Sequence, residues 1–196
     1  KETEQLIEGN NDIIDFDIAD NKICLNMNCF EDKMPVRSEL YLYELEKDSL
    51  EQLTEEDMSI SYLQFINSEK IYFAASDMEA MGLNTNNDIF QYNLEEKEVK
   101  AVTENLDKSL WASVGNDCRM GAGKSHAVDG EQFYFLTTEG YNTYLNVMGE
   151  NGPERVIENE GTVDMFDVNK GKILFIGFRD NKLQELYLYN EGEERQ

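Results

Sequence analysis

A fourfold internal repeat is the feature that most constrains the fold of this chain. The copies begin at Leu40, Ile89, Thr143 and Leu186, which places them 49, 54 and 43 residues apart. In the first copy, the run Leu40-Tyr41-Leu42-Tyr43-Glu44-Leu45 is followed by Leu50-Glu51-Gln52-Leu53-Thr54. Self-similarity at a spacing of roughly 40–50 residues predicts one small supersecondary unit per copy, stacked against its neighbours.

Another pair of apolar runs precedes each copy. Within a run, apolar and polar residues alternate, as in Ile14-Asp15-Phe16-Asp17-Ile18, and a period of two is typical of β-strands. Turns rich in Asn, Asp and Gly join the partners, which suits tight hairpins. The predicted pairs are 13–18 with 23–27, 62–66 with 71–74, 126–128 with 133–136, and 163–168 with 173–178.

Each repeat therefore contains four antiparallel strands, which we name a to d in chain order. Units of this kind are typical of β-propeller blades. We predict an all-β fold, a single β-propeller segment with four blades over about residues 9–54, 55–103, 104–157 and 158–196.

The first residues resemble the outermost strand of a blade. Thr3-Glu4-Gln5-Leu6-Ile7 is similar to Leu50–Thr54, so residues 1–8 are predicted to be the last strand of a preceding blade. The chain would then be part of a larger propeller. The alternative is a four-bladed ring in which residues 3–7 pair with residues 186–190.

The long connections are expected on one face. In a propeller, the b–c and d–a connections share a face, and the connections 30–38, 76–87 and 104–123 are of these two types. Long loops are commonly functional. The longest contains Trp111, Asp117 and Arg119, our candidates for substrate or partner contacts. Trp111 is either a binding anchor or a plug that buries the loop, and Asp117 and Arg119 either contact a ligand or fix the loop.

The composition excludes several partners. Lys and Arg number 17 against 41 Asp and Glu, giving a formal charge of −24. This charge opposes binding to nucleic acids and to anionic lipid surfaces. No run of about 18 apolar residues is present, so no membrane span is expected. The three cysteines cannot all pair within one chain, which favours a reducing, cytoplasmic location.

Motifs for catalysis and metal binding are incomplete. The only histidine, His126, directly follows Ser125, and sequence neighbours rarely have the geometry of a catalytic triad. Gly121-Ala122-Gly123-Lys124-Ser125 ends like a phosphate-binding loop, but the earlier glycine of that pattern is missing. Asp15-Phe16-Asp17 and Asp167-Val168-Asn169 resemble the start of a Ca²⁺ loop without completing it. We predict no catalytic residue, no cofactor and no metal in this chain.

The repeated Leu-Tyr-Leu-Tyr-x-Leu followed by Gln-Leu-Thr resembles the blade signature of the N-terminal propeller of prolyl oligopeptidase-family serine peptidases. Residues 116–123 and 128–136 are similar to a stretch of the bacterial acylaminoacyl-peptidase-like branch. The resemblance implies a downstream α/β-hydrolase domain with Ser, Asp and His in that order. The propeller would then gate access of peptides to that domain and help to position them.

The resemblance transfers no catalytic residue to this sequence, and only Asp117 and Arg119 transfer as contacts. The implied partners are the hydrolase domain of the same polypeptide and a peptide substrate. A free-standing propeller that binds a protein or peptide through its long-loop face is the alternative function. The open flanks of an incomplete ring also allow a homo-oligomer.

Overall fold

The structure is a computed structural model that describes residues 3–30, 32–33, 35–55, 58–115, 123–180 and 182–196. Within these ranges the strands form four antiparallel sheets of four strands each, and every sheet keeps the chain order of its strands. This confirms the predicted all-β fold. The helical structure in the same ranges is a single 3₁₀ turn, Gly82–Asn84.

The chain divides into two compact units, residues 1–85 with 89–101 and residues 86–88 with 102–196. The first unit holds the first sheet and nearly all of the second. The first sheet comprises β1 (Asn11–Ala19), β2 (Lys22–Cys29), β3 (Glu39–Glu44) and β4 (Ser49–Gln52). The second sheet comprises β5 (Ser59–Asn67), β6 (Lys70–Ser76), β7 (Asp88–Asn93) and β8 (Glu98–Ala101).

The second unit holds the other two sheets. The third sheet comprises β9 (His126–Asp129), β10 (Gln132–Glu139), β11 (Asn142–Gly149) and β12 (Gly152–Ile157). The fourth sheet comprises β13 (Met165–Asn169), β14 (Lys172–Gly177), β15 (Glu185–Asn190) and β16 (Glu193–Arg195). The predicted strand 163–168 begins two residues later than expected, because the Val163 N–H donates to the Thr143 carbonyl of β11, 3.1 Å away.

The hairpin turns use the expected residue types in two ways. Asp20, Gly130 and Gly171 adopt positive φ of 54°, 65° and 73°, the left-handed backbone that tight turns require. The β5–β6 turn uses a side chain instead, because Asn67 Oδ1 accepts the N–H groups of Glu69 and Lys70 at 3.0 Å. Such a side-chain turn is a common role of Asn.

In the first unit, the two sheets pack face to face through a defined set of contacts. We call the face of the first sheet that carries Asp15, Asp17, Cys24, Leu40 and Leu42 its acceptor face. Two carboxylates on this face accept backbone N–H groups of the second sheet: Asp15 from Leu63 at 3.0 Å, and Asp17 from Phe65 at 2.8 Å. These two aspartates therefore join the two sheets. They belong to the Asp15-Phe16-Asp17 motif, which resembles the start of a Ca²⁺ loop.

The opposing surface of the second sheet is its donor face, formed by Ile60, Leu63, Phe65, Ile71 and Phe73. These side chains share one buried apolar cluster with the apolar members of the acceptor face. In the second unit, the third and fourth sheets bury an analogous cluster that contains Tyr134, Leu136, Phe166 and Phe175. Packing between neighbouring sheets thus forms the core of each unit.

Residues 3–8 form no strand in the structure. Ile7 instead packs beside Leu25, Met27, Tyr41 and Tyr43, on the face of the first sheet opposite to its acceptor face. The assignment of residues 1–8 to a preceding blade and the blade boundaries remain predictions.

We predict that the two described cysteines differ strongly in reactivity. Cys24 is fully buried on the acceptor face, and burial, reinforced by the nearby Asp17 carboxylate, raises the pKa of its thiol. Cys29 is exposed. Because the thiolate is the reactive species, iodoacetamide should label Cys29 in the native protein and Cys24 only after denaturation. Mass spectrometry of the digested protein measures both sites, and equal native labelling would contradict the packing of the two sheets.

Candidate functional site

The b–c connections of the first unit contact each other, as expected for loops on one face. The Arg37 guanidinium of the β2–β3 connection donates to the backbone carbonyl of Asp77 in the β6–β7 connection, at 3.0 Å. Val36, Met81 and Leu83, three apolar side chains of these connections, are exposed. The two connections therefore form one surface with apolar tips.

The second unit has an open depression between its b–c and d–a connections. It has a volume of about 810 Å³. Its residues come from the β8–β9 and β12–β13 connections, the β10–β11 turn and the β14–β15 connection. We call it the loop depression, and it is lined by Val114, Tyr141, Asn142, Glu160, Gly161, Thr162, Phe178, Arg179, Asp180, Lys182 and Leu183.

One wall of the loop depression is tied to both sheets of the unit. Asn142 Oδ1 accepts the Gly161 N–H at 2.8 Å, at the start of β11. The next residue, Thr162, donates its N–H to the Phe178 carbonyl at 3.1 Å and accepts the Phe178 N–H through its hydroxyl at 3.1 Å. The β12–β13 connection is therefore held between the third and fourth sheets.

Two glycines allow this wall to approach the fourth sheet closely. Gly161 has φ of 119°, and a Cβ placed there would lie 2.0 Å from the Phe178 carbonyl oxygen. A Cβ on Gly177 would lie 1.8 Å from the Thr162 carbonyl oxygen. Both positions exclude any larger residue, because these two oxygens belong to the backbone and cannot turn aside.

Arg179 braces the floor of the loop depression. Its guanidinium forms a two-pronged ion pair with Glu194 of β16, with N–O distances of 3.0 and 3.2 Å. It also donates to the Thr162 and Phe178 carbonyls, both at 2.9 Å. The stacked rings of Phe175 and Tyr187 lie 5.1 and 5.5 Å from its central carbon. Its hydrogen-bonding capacity is thus used largely within the protein, which makes it a structural residue.

The rim of the loop depression is exposed and chemically mixed. Tyr141 and Leu183 provide large apolar surfaces that are mostly open to solvent. Glu160, Asp180 and Lys182 are exposed and place charges of both signs beside them. Apolar contacts next to a few charged groups are the usual chemistry of a concave ligand site.

Trp111 lies on the β8–β9 connection, which a hydrogen-bonded clamp fixes to β10. The Trp111 carbonyl accepts the Thr138 hydroxyl at 2.5 Å, and the Ser113 N–H donates to that hydroxyl oxygen at 3.0 Å. Leu110 is the buried residue of this segment, whereas the Trp111 side chain is 44% exposed. The clamp holds the backbone while much of the indole surface stays accessible. Asp117 and Arg119, the other two predicted contact residues, lie outside the described residues.

Ser125 and His126 are adjacent but do not form a reaction centre. The Ser125 hydroxyl oxygen lies 3.4 Å from His126 Nδ1, and both residues are buried. A substrate carbonyl has no access to a buried hydroxyl. Strand β9 begins at His126, whereas a phosphate-binding loop ending at Ser125 would need a helix there. Among the described residues, no group of three or more His, Cys, Asp or Glu side chains is arranged to hold a metal ion.

Sequence reasoning missed the loop depression. Its charged and apolar rim residues belong to short connections that no length criterion selects. One signal for this site was present in the sequence, since Arg179 is a cation that follows β14 and precedes an acidic stretch. Its ion pair with Glu194, however, links residues 15 positions apart. No local pattern indicates such a pair.

No protein-family model matches this sequence, and no curated protein matches it. Solved structures do match. The acylaminoacyl peptidase of Pyrococcus horikoshii superposes with a TM-score of 0.69 at 16% identity, over 95% of this chain and 27% of that chain. The β-propeller domain of the trilobed protease of Pyrococcus furiosus gives 0.65 at 17% identity, over 95% and 54%. The puromycin-hydrolyzing peptidase of Mycobacterium tuberculosis gives 0.71 at 13% identity, over 98% and 29%.

These matches define the fold class as a β-propeller like those of peptidases. At such identities the likeness extends to the fold alone. The chain spans between 27% and 54% of the length of these three solved chains. Within the described ranges, the structure has no helix with the length and apolar character needed to cross a membrane.

We predict that Arg179 contributes to stability and that a similar exposed arginine does not. Breaking a buried ion pair from one side costs about 3–5 kcal/mol, since the other charge is left without compensation. Arg179→Ala should therefore lower the free energy of unfolding by about this amount. Arg195, which pairs with Glu193 at the surface, is the matched control, and Arg195→Ala should change it by about 0.5 kcal/mol or less. Urea denaturation followed by circular dichroism measures both, and equal effects would refute the bracing role.

Proposed function

We propose that this chain is the non-catalytic propeller segment of a serine exopeptidase of the acylaminoacyl-peptidase or dipeptidyl-peptidase type. In this proposal, the propeller gates the access of peptides to an α/β-hydrolase domain of the same polypeptide and helps to position them. The fold that this chain shares with propellers of peptidases supports the class. The single observation that carries the peptide-contact role is the loop depression with its exposed apolar and charged rim.

The chemistry of the loop depression suits a short peptide. Its volume of about 810 Å³ falls in the range of about 300–1,000 Å³ typical of ligand sites. Tyr141 and Leu183 offer surface for apolar side chains. The carboxylates of Glu160 and Asp180 can bind amino groups, and Lys182 can bind a carboxylate. A peptide carries all three of these features.

The β8–β9 connection extends the proposed contact region. Val114 lines the loop depression, and Trp111 lies three residues before it on the same connection. We assign Trp111, Asp117 and Arg119 to the proposal as further substrate contacts. The exposed indole favours the anchor interpretation of Trp111 over the plug.

We predict that a short peptide changes the fluorescence of Trp111, the only tryptophan of the chain. An acetylated and an unacetylated apolar tetrapeptide serve as probes. The double variant Tyr141→Ala, Leu183→Ala should weaken binding about tenfold, as expected when two apolar contacts are removed. Leu45→Ala is the control, because Leu45 is an exposed leucine in the β3–β4 turn of the other unit. Equal affinities for the double variant and the control would refute the role of the loop depression.

We also predict how the propeller affects hydrolysis. This chain alone should release no product from acyl-peptide or aminoacyl substrates, whereas the full-length polypeptide should. The hydrolase domain alone should accept longer peptides than the full-length polypeptide, because the gate is absent. Rates measured against peptide length test this, and the same length limit with and without the propeller would contradict gating.

The exposed apolar tips of the first unit favour a second candidate, a free-standing propeller that binds a protein or peptide partner. Val36, Met81 and Leu83 lie on the two connections joined by Arg37 and Asp77. Because this chain has a net charge of −24, its partner would be basic, and their binding would weaken as salt is added. Under this alternative, Met81→Ser with Leu83→Ser, which removes the apolar contacts without changing the charge, weakens binding to a basic protein and leaves tetrapeptide binding intact. The proposed peptidase role predicts instead that Tyr141→Ala with Leu183→Ala weakens tetrapeptide binding.

A further inference from the structure

Two buried amide oxygens on the acceptor face of the first sheet have no hydrogen-bond partner among the described residues. They are Oδ1 of Asn26 and Oδ1 of Asn28, which lie two positions apart on β2. The two side chains are 0% and 3% exposed. Buried polar atoms of this kind are rare in native proteins, and an ion or a water molecule commonly completes their surroundings.

The hydrogen bonds of these two amides fix which atom of each is the oxygen. Asn26 Nδ2 donates to the Ile60 carbonyl of the second sheet at 2.9 Å, and Asn28 Nδ2 makes a longer contact of 3.5 Å with the Pro35 carbonyl. A reversed amide would place an oxygen against each of these carbonyl oxygens, which neither could accept. Both Oδ1 atoms are therefore acceptors that a ligand can use.

Two aspartates of β1 lie beside these asparagines. Asp12 pairs with Asn28 in the strand register. Asp15 pairs with Asn26, and opposed residues of an antiparallel pair point to the same face. In a regular strand, residues three positions apart would face opposite sides of the sheet. The β-bulge between Ile13 and Asp15 adds one residue to β1, and it brings both carboxylates to the acceptor face.

The carboxylates of these aspartates retain oxygens that can bind a ligand. Asp12 is half-buried, and its carboxylate makes no hydrogen bond or ion pair with the part of the chain that the structure describes. Asp15 accepts the Leu63 N–H through Oδ2, which leaves Oδ1 available. Opposed Cβ atoms lie about 5 Å apart, and residues two positions apart on a strand lie about 7 Å apart. Four oxygen-bearing side chains therefore surround one small area of the acceptor face.

We propose that Asp12, Asp15, Asn26 and Asn28 bind one Ca²⁺ ion. Ca²⁺ takes about six to eight oxygen ligands, and carboxylates, amide carbonyls and water are the usual ones. The site has two carboxylates, so it differs from the groups of three or more His, Cys, Asp or Glu side chains that the described residues lack. It also departs from the sequence-based prediction of no metal, because it depends on a bulge and on strand pairing that no local motif reveals.

The charge around these oxygens favours a cation over a water molecule. Asp12 and Asp15 are like charges on one face, and a neutral water molecule cannot offset their repulsion. The only basic residue of β1 and β2 is Lys22, which lies at the opposite end of β2 and donates to the Ser68 carbonyl at 3.1 Å. The net charge of −24 also raises the local concentration of cations. A bound Ca²⁺ would thus stabilise the end of the first sheet that contacts Ile60.

Calorimetric titration of the purified chain, treated first with a chelator and held in about 0.15 M sodium chloride, tests the proposal. One Ca²⁺ per chain should bind and raise the melting temperature. Mg²⁺ should bind at least about tenfold more weakly, because it requires near-ideal octahedral geometry. Asp12→Asn should weaken Ca²⁺ binding at least about tenfold, since one ligand charge is lost. It should not lower the melting temperature of the ion-free protein, because it removes a repulsion.

Asp20→Asn is the matched control. It removes the same charge from the same sheet, in the β1–β2 turn, where asparagine tolerates the positive φ of 54°. It should leave Ca²⁺ binding within about twofold of the unmodified chain, because exposed charges at a distance are screened by salt.

Asn28→Asp separates a ligand from a purely structural asparagine. The added carboxylate lies beside Asp12, so this variant should melt at a lower temperature without Ca²⁺ and show a larger rise when Ca²⁺ is added. A structural asparagine would give the first effect without the second. If this variant does not fold, Asp12→Asn still decides. Four results would overturn the proposal: no saturable binding of Ca²⁺, as expected if water completes the amides; equally tight binding of Mg²⁺; equal losses in Asp12→Asn and Asp20→Asn; or an unchanged Ca²⁺ response in a folded Asn28→Asp.

Discussion

A four-stranded sheet with two apolar faces cannot bury either face by itself, and the structure depends on this constraint. The strands are short, and the outermost ones, β4 and β8, are exposed along their whole length. The buried side chains therefore lie on faces that contact a neighbouring sheet. The cluster around Cys24, Leu42, Leu63 and Phe65 in the first unit is a contact of this kind. Nearest-neighbour stacking is the general basis of stability in repeat architectures.

Asp15 and Asp17 add direction to this stacking. Apolar contacts alone fix the distance between two sheets but not their register, since they have no directional preference. Asp15 and Asp17 are two residues apart, and the N–H groups that they accept, those of Leu63 and Phe65, are also two residues apart. This matched spacing permits one alignment of the two sheets. The third sheet has Ala127 at the position of Asp17, and there Asp129 accepts the Gly171 N–H at 2.7 Å. Different carboxylates therefore perform the same task in the two units.

The strands and the hairpin turns could be predicted from the sequence because each depends on local patterns. Period-two alternation over Ile14-Asp15-Phe16-Asp17-Ile18 identifies β1. The role of the aspartates could not be predicted, because polar residues in alternation usually face solvent. The bracing role of Arg179 could not be predicted either, because its partners Glu194 and Thr162 lie 15 and 17 positions away in the sequence. Of the candidate contacts, the exposure of Trp111 is now known, and the roles of Asp117 and Arg119 stay predictions.

Stability and the proposed ligand contact use different parts of the second unit. The buried Ser125 and His126 belong to the framework, and Arg179 connects that framework to the floor of the loop depression. The exposed side chains of Tyr141 and Leu183 lie at its rim and are not part of the main apolar cluster. Changes at the rim can therefore alter which ligands bind with little effect on folding.

The close approach at Gly161 and Gly177 has a thermodynamic consequence for any ligand of the loop depression. A wall that is already hydrogen-bonded at both ends loses little conformational freedom when a ligand arrives. Pre-organised sites avoid the entropic penalty of ordering a loop, so a larger share of the contact energy is retained as affinity. A modest number of contacts can then suffice, and calorimetry would record a small heat-capacity change from folding of the wall itself.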